Sequence, residues 1–249
     1  MTYASLNFLD VRIDVLNEAT AVEHIAGSLE AGRGGWVATP NVDQLRILSS
    51  CADLLSVADG MPLIWASHIQ GSPLPERVSG SHLIWSLTTA GAISGRSHFI
   101  LSGTSHDVAE MAAKGPPSNK LSESGSVCAG HEGATVQSKS RRGPNNLREK
   151  NPPLKIAGFY SPPYGFERDS NEVAAIRDKV SQAMPDIVFC GLGFPKQERL
   201  IQGLRMVLPR TWFVACGASI SMVAGERSLP PNGCKTADLS GSIGCGRSL

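Results

Sequence analysis

The stretch DIVFCGLGFPKQE at residues 186–198 decides the fold of this chain. An apolar run of strand length leads directly into two glycines and a proline, and charged residues follow in what reads as the first turn of a helix. A buried strand that passes straight into a helix is typical of parallel sheets, where each helix crosses over to the next strand. The stretch therefore predicts one repeating unit of an α/β fold.

The same order recurs on both sides of this stretch. Apolar runs predict further strands over 35–41, 97–103, 154–160 and 211–218, and apolar periodicity predicts helices over 18–31, 170–183 and 195–206. Residues 7–14 alternate apolar and polar, which predicts a half-exposed strand. Residues 52–58 (ADLLSVA) are interpreted as a short helix. We predict a Rossmann-like, mostly parallel sheet with helices on both faces and a small N-terminal strand or hairpin region.

Composition excludes several classes of protein. The net charge of +1 gives no electrostatic case for nucleic-acid binding. No apolar run approaches the ~20 residues of a membrane span, and the first residues lack the features of a signal peptide. The six cysteines form no C-x-x-C pair and are interpreted as reduced thiols. The histidines lack metal-ligand spacing and there is no D-x-D motif, so no metal site or cofactor is predicted.

Two segments depart from the α/β pattern. Residues 114–145 lack periodicity and are rich in Ser, Gly and basic residues, so we predict a disordered insert there. Residues 228–249 have neither an amphipathic period nor an aromatic residue, and they are predicted to be disordered as well. The remaining chain, within residues 1–227, is predicted to be one domain.

Asp59 is the first candidate for a catalytic group. It follows an apolar stretch and precedes Gly60, a position from which a carboxylate can face a pocket and act as a general base. The alternative is that Asp59 caps the helix that begins near Met61. Spacing leaves both interpretations open.

Further candidates follow other predicted strands. Thr39 and Asn41 flank Pro40, where hydroxyl and amide groups can bind a sugar or a base, or else serve the turn itself. Arg77 suits a phosphate, with an ion pair to Glu76 or a nearby carboxylate as the alternative. Gly191, Gly193 and Gln197 lie where a helix N-terminus can attract an anion. The third glycine of a dinucleotide fingerprint is absent, so an NAD-dependent oxidoreductase is only weakly indicated.

Taken together, these segments resemble the TagA/WecG/CpsF family of bacterial glycosyltransferases over residues 5–113 and 146–227. The resemblance rests on segments that occur in the family's order: TPN (39–41), ADGMPLIWAS (58–67), LPERVSG (74–80), YSPPYGF (160–166), PDIVFCGLGFPKQE (185–198) and CGAS (216–219). It implies an inverting, metal-independent hexosyltransferase. The enzyme would move an N-acetylhexosamine, similar to N-acetylmannosamine, from a UDP-sugar to an undecaprenyl-diphosphate-linked sugar in polysaccharide, cell-wall or teichoic acid biosynthesis.

The resemblance also implies roles and a location. Asp59 matches the family's proposed base, while Thr39, Asn41, Arg77 and Gln197 match its substrate-binding positions. Gly191 and Gly193 belong to the same glycine-rich turn. The expected location is cytoplasmic, peripheral to the inner face of the plasma membrane, where both the nucleotide sugar and the lipid-linked acceptor are accessible. Homo-oligomerisation is left open.

The resemblance finally implies an amphipathic C-terminal tail that closes the site and supplies basic residues near the diphosphate. Residues 239–249, LSGSIGCGRSL, can be encoded so that a one-base shift reads EWLYRLWSEP, which is similar to the family's tail. We therefore interpret residues 228–249 as a frameshifted tail and expect impaired activity. The alternative is a non-catalytic, UDP-binding remnant of a damaged gene.

Overall fold

The computed structural model describes residues 3–8, 11–42, 44–45, 54–103 and 153–223. The predicted insert at 114–145 and the predicted aberrant tail at 228–249 both lie outside the described residues. Those two predictions therefore stay predictions.

The strands form a hairpin and one larger sheet. In the hairpin, β1 (Ser5–Phe8) pairs with β2 (Val11–Asp14) in antiparallel register. The larger sheet has six strands in the order β4-β3-β8-β7-β5-β6, and every neighbouring pair is parallel. Its strands are β3 (Gly35–Ala38), β4 (Leu55–Ser56), β5 (Ser97–Ser102), β6 (Lys155–Tyr160), β7 (Ile187–Gly191) and β8 (Trp212–Ala215). The predicted fold class is confirmed.

Helices cover both faces of the six-stranded sheet. They are α1 (Glu18–Glu30), α2 (Met61–Ile69), α3 (Gly80–Ser94), α4 (Ser170–Ala183), α5 (Lys196–Val207) and α6 (Ser219–Val223), with a 3₁₀ turn at Phe166–Arg168. Apolar residues of α1, α3 and α6 pack on one face, and those of α4 and α5 pack on the other.

Alternation along the central strands explains why both faces hold a core. On β8, Val214 belongs to the cluster under α1 and α3, whereas its neighbours Phe213 and Ala215 belong to the cluster under α4 and α5. Successive strand residues point to opposite faces, so a strand covered on both sides must be apolar throughout. Burial of each large side chain contributes about 1.5–3 kcal/mol. This is the physical reason why continuous apolar runs predicted these strands.

The helix predicted over residues 52–58 is wrong in its described part. Leu55 and Ser56 instead form β4, which pairs with Val37 and Ala38 of β3. The carboxylate of Asp14 also accepts a hydrogen bond from the backbone N–H of Ser56, at 3.1 Å. Leucine and alanine favour helices locally, but pairing with a buried strand outweighs that preference here.

Candidate active site

A cavity of about 310 Å³ lies at the carboxyl ends of the central strands. The segments that follow β3, β4, β7 and β8 contribute to its wall, together with the start of α3. Because parallel strands end at the same edge of a sheet, segments far apart in the sequence meet there. The lining residues are Ala38, Thr39, Asn41, Gln44, Asp59, Arg77, Ser79, Ser81, Phe194, Gln197, Glu198, Ala215, Cys216, Gly217, Ala218, Ser219 and Met222.

Asp59 is held in this wall by the main chain. Its N–H donates to the carbonyl oxygen of Pro40, at 3.0 Å, and the carbonyl oxygen of the preceding Ala58 accepts from the N–H of Val78, at 2.9 Å. The peptide group between Ala58 and Asp59 therefore bonds to the loop after β3 on one side and to the loop after α2 on the other, which fixes the position of the carboxylate. The capping alternative is wrong, because Gly60 is the N-cap of α2 and that cap has no side-chain hydrogen bond.

Burial perturbs the acidity of Asp59. Loss of solvent raises the pKa of its carboxyl to about 6, although the nearby Arg77 guanidinium and a hydrogen bond from the backbone N–H of Gly80 act to lower it. A carboxyl group with this pKa is mostly ionised at neutral pH and is still basic enough to take a proton. Such matching of pKa to working pH is what a general base requires.

Thr39 and Asn41 line the cavity and also make local bonds. The Thr39 hydroxyl lies 3.5 Å from the carbonyl oxygen of Ala215, the outer limit of a hydrogen bond. The Asn41 side chain accepts from the N–H of Gln44, at 3.2 Å, and the Gln44 side chain accepts from the N–H of Asn41, at 3.3 Å. The turn role that the sequence left open is therefore real for Asn41, and it coexists with a place in the cavity wall.

Arg77 brings positive charge to the cavity. Its Nε is buried and has no hydrogen-bond partner among the described residues, and its guanidinium is close enough to Asp59 to act on that carboxyl. Glu76 is engaged elsewhere, because its Oε1 accepts from the backbone N–H of Glu18 at 2.8 Å. The sequence alternative of an ion pair with Glu76 is therefore not formed through this oxygen, and Arg77 lines the cavity together with Asp59.

The three candidates in and after the turn that follows β7 do not all reach the cavity. Gln197 lines the cavity, whereas Gly191 and Gly193 are not among its lining residues. A Cβ on Gly191 would lie 2.7 Å from the carbonyl oxygen of Gly217, so glycine is needed there for packing inside the protein. Gly193 has φ of +82°, a conformation that L side chains rarely adopt, and it lets the chain turn into α5.

Glu198 is the main site residue that the sequence did not single out. It lines the cavity beside Gln197, and burial raises the pKa of its carboxyl. Ser79 and Ser81 line the cavity as well, and Ser79 caps the N-terminus of α3. A serine four residues before the apolar run that begins at Leu83 was a usable signal for the cap. An acidic residue in a first helical turn, by contrast, is ordinarily exposed.

Metal-binding groups and membrane-spanning helices are both absent from the described residues. Within them, no three His, Cys, Asp or Glu side chains are grouped so that they could hold a metal ion. None of the described helices combines the length and the apolarity needed to cross a membrane. Cys190 and Cys216 are buried free thiols, as predicted for the cysteines.

A sequence profile of the glycosyl transferase WecG/TagA/CpsF family matches residues 6–119 and 132–240 of this chain. The chain belongs to this family. It is therefore a hexosyltransferase by descent, with the Rossmann-like α/β fold described above, and the resemblance stated from its motifs is confirmed.

Two relatives share one name, that of an N-acetylmannosaminyltransferase. An N-acetylglucosaminyldiphosphoundecaprenol N-acetyl-beta-D-mannosaminyltransferase of Bacillus spizizenii is 24% identical over 237 residues, which cover 91% of this chain and 75% of the relative. A protein of that name from Bacillus subtilis is 30% identical over 88 residues, or 35% of this chain and 32% of the relative. Similarity to the first relative thus extends over most of this chain and three quarters of the relative.

Proposed function

We propose that this protein transfers an N-acetylhexosamine, similar to N-acetylmannosamine, from a UDP-sugar to an undecaprenyl-diphosphate-linked sugar in cell-surface polysaccharide biosynthesis, such as that of teichoic acid. Family membership supports the class of reaction, and the name of the B. spizizenii relative supports the sugar and the acceptor. The single observation that carries the proposal is the Asp59 carboxylate in the wall of a cavity at the carboxyl edge of the sheet.

In this mechanism Asp59 acts as the general base. It removes the proton from the acceptor hydroxyl while that oxygen attacks C1 of the donor sugar. The bond between C1 and the phosphate oxygen breaks, and UDP leaves from the opposite face with the electron pair. One displacement at C1 inverts the anomeric centre. The pKa of about 6 keeps Asp59 ready to accept the proton at neutral pH.

Positive charge and hydrogen-bond donors in the cavity serve the leaving group and the sugar. Arg77 stabilises the negative charge that develops on the diphosphate, because its guanidinium is already in a partly dry site. Thr39, Asn41 and Gln197 offer hydroxyl and amide groups to the substrate. The proposal includes catalysis without a divalent metal, so turnover is expected to persist in excess EDTA.

The proposed place of action is the cytoplasmic face of the plasma membrane. A lipid-linked acceptor is confined to the bilayer, whereas a UDP-sugar is a solute of the cytoplasm. A peripheral enzyme brings the two together without a membrane-spanning helix of its own. Sedimentation of the purified protein with vesicles that contain the lipid acceptor, compared with vesicles that lack it, tests this placement.

A turnover assay tests the proposed function. The purified full chain is incubated with UDP-N-acetylmannosamine and lipid-diphosphate-linked N-acetylglucosamine, and the release of UDP is measured with and without acceptor. Release that depends on acceptor supports the proposal, and NMR of the product should show an inverted anomeric centre. Release at the same rate without acceptor would indicate hydrolysis instead of transfer.

The second candidate is a non-catalytic remnant that binds UDP, and the unusual sequence of residues 228–249 favours it. Binding of UDP without acceptor-dependent turnover would support this candidate. The nucleotide sequence around codon 228 provides an independent test. If a one-base shift there restores an amphipathic tail, a corrected chain is expected to be more active than the present one; if no such shift exists, the frameshift hypothesis fails.

A further inference from the structure

Two adjacent side chains in the cavity wall have buried acceptor atoms without partners. Gln197 and Glu198 are 3% and 6% exposed, and both line the cavity. The Nε2 of Gln197 donates to Oε1 of Glu198, at 2.8 Å. Neither Oε1 of Gln197 nor Oε2 of Glu198 has a hydrogen-bond partner within the described part of the chain. Buried acceptors of this kind are costly, and each requires an explanation.

The bond between the two side chains decides which atoms face a ligand. Because the Gln197 amide group donates to Glu198, its oxygen is left as the free end of the side chain. Glu198 in turn uses one oxygen to hold that orientation, and its own backbone N–H acts on the carboxyl group as well, while Oε2 has no hydrogen bond of good geometry within the described residues. The pair therefore holds two unpartnered acceptors in the cavity wall, which a ligand with hydrogen-bond donors satisfies once the side chains turn toward it.

Among the parts of a UDP-sugar, the ribose with two hydroxyl groups and the hexose with several suit such a surface, and the hexose is favoured because its C1 must lie beside Asp59 in the same cavity. The diphosphate has no hydrogen-bond donor, and its negative charge disfavours a neighbouring carboxyl group. The uracil ring has a single N–H donor. The hexose carries several hydroxyl groups, and a hydroxyl can donate or accept, so it pairs with the Glu198 carboxyl in either protonation state.

The size of the cavity supports the same assignment. At about 310 Å³ it lies at the lower end of the ~300–1,000 Å³ typical of ligand sites. Asp59 lines it, so C1 of the transferred sugar must lie there for the acceptor hydroxyl to be reached. Glu198 belongs to the same wall, so the transferred sugar lies within the cavity that this side chain lines.

We propose that Glu198 is a specificity-determining residue for the transferred hexose, which it binds through Oε2 while it orients Gln197 to bind a second hydroxyl or amide group. This inference rests on the proposed function, because it takes the donor to be a UDP-hexosamine. It goes further in assigning the hexose, and not the nucleotide, to this pair of side chains.

Equilibrium binding tests the assignment without requiring turnover. The full chain and its Glu198→Met variant are titrated calorimetrically with UDP and, separately, with UDP-N-acetylmannosamine. We expect the variant to bind the UDP-sugar roughly 10- to 100-fold more weakly, the loss typical of a hydrogen bond to a charged group, and to bind UDP as the parent does. Glu198→Gln should lose less, since its amide can still meet a hydroxyl.

The matched control is Glu30→Met, the same change at an exposed position on α1. It should leave both affinities unchanged. Thermal unfolding verifies that each variant is folded; an apolar replacement of a buried carboxyl removes a desolvation cost, so Glu198→Met is expected to fold.

Three results would overturn the inference. Equal loss of UDP and UDP-sugar affinity in Glu198→Met would assign Glu198 to the nucleotide or to the structure of the wall. Unchanged affinity for the UDP-sugar would show that Glu198 does not contact the hexose. Failure of the folded parent chain to bind UDP-N-acetylmannosamine at all would instead reject the proposed donor, and the inference with it.

Discussion

Two aspartates at opposite ends of the same sheet show how differently this protein treats a carboxylate. Asp186 precedes β7 at the amino ends of the strands, and it accepts hydrogen bonds from the N–H of Ser97 at 2.8 Å, the Ser97 hydroxyl at 2.9 Å and Arg96 at 3.1 Å. Burial acts to raise its pKa, but these bonds and the Arg96 charge lower it on balance. Asp59 has the opposite shift, because its partners do not offset burial.

The difference separates a structural carboxylate from a reactive one. At the amino ends, hydrogen bonds and an ion pair within the protein stabilise the charge of Asp186, so that carboxylate does not require a ligand. At the carboxyl ends the half-buried carboxylate of Asp59, a buried guanidinium nitrogen and two buried side-chain oxygens surround an open cavity. Perturbed acidity combined with a cavity is a physical criterion for a functional site that does not depend on relatives.

An unpartnered buried group alone does not meet this criterion. His98 on β5 is completely buried, and within the described ranges neither ring nitrogen makes a hydrogen bond of good geometry, although backbone carbonyl oxygens of Leu87, Lys155 and Arg96 lie near enough to act on its pKa. Its ring stacks on Phe189 with centroids 5.7 Å apart, and it lies so close to Gly91 that a Cβ there would be 2.3 Å from its Cε1. Burial lowers the pKa of His98 to about 4, which keeps the ring neutral and suited to a packed core.

The largest expected effect is on turnover when Asp59 is replaced. Asp59→Asn keeps the size of the side chain but removes the base, so acceptor-dependent release of UDP should fall by about 10²–10⁴-fold. Asp186→Asn is the matched control at the other end of the sheet and should leave turnover within a few-fold of the parent. Loss of activity in Asp186→Asn alone would reverse the assignment of the two aspartates.

The second effect is on stability as a function of pH. The folded-state pKa of Asp59 is raised, so its contribution to stability is complete below its unfolded pKa and is lost as pH rises through about 6. The parent and Asp59→Asn should thus have similar unfolding free energies near pH 4, and the variant should be more stable by about 2–3 kcal/mol at pH 8. Denaturant titrations at both pH values measure this difference.

The kcat/KM of the parent should rise with pH up to about 6 and then level off.

A third effect concerns the satisfied carboxylate. Asp186→Asn should lower the unfolding free energy by about 1–3 kcal/mol at pH 7, because it weakens charge-assisted bonds to Ser97 and Arg96. The lowered pKa of Asp186 means that this stabilisation is present at neutral pH and is lost on acidification. Chemical denaturation at pH 7 and pH 3 tests both parts. An unchanged free energy at pH 7 would remove the structural role given to this end of the sheet.

The smallest expected effects concern two threonines at opposite ends of the sheet. Thr211 precedes β8 and donates to the carbonyl oxygen of Pro185 at 2.8 Å, whereas the Thr39 hydroxyl, after β3, has a bond of only 3.5 Å. Thr211→Ser keeps the bond and serves as the control for Thr211→Ala, which should cost about 1 kcal/mol of stability and no activity. Thr39→Ala should change stability by less than ~0.5 kcal/mol but raise the KM for the donor.

Much of the fold was accessible from sequence for a simple reason. Strands covered on both faces are apolar throughout, as in residues 187–190, and such runs are visible in a single chain. β4 was missed because two residues carry no period, and their pairing partner lies in another segment. A short strand held by its neighbours has no local signature.

The candidate site divides in the same way. Thr39, Asn41, Asp59, Arg77 and Gln197 were predicted from their positions after strands and from the family's motifs, and the structure brings all five to one cavity. Glu198 was not predicted, since its importance comes from burial and from an empty hydrogen-bonding position. Neither property can be read from a linear sequence, because both depend on how α5 docks against the sheet.

The main-chain bonds around Asp59 have a consequence for how this enzyme family can diverge. Pro40, Ala58 and Val78 position the loop through backbone atoms, which are present whatever the side chains are. Substitutions can therefore accumulate in these loops while the carboxylate stays in place. The sugar preference of such an enzyme can drift through the side chains of the cavity wall, independently of the chemistry.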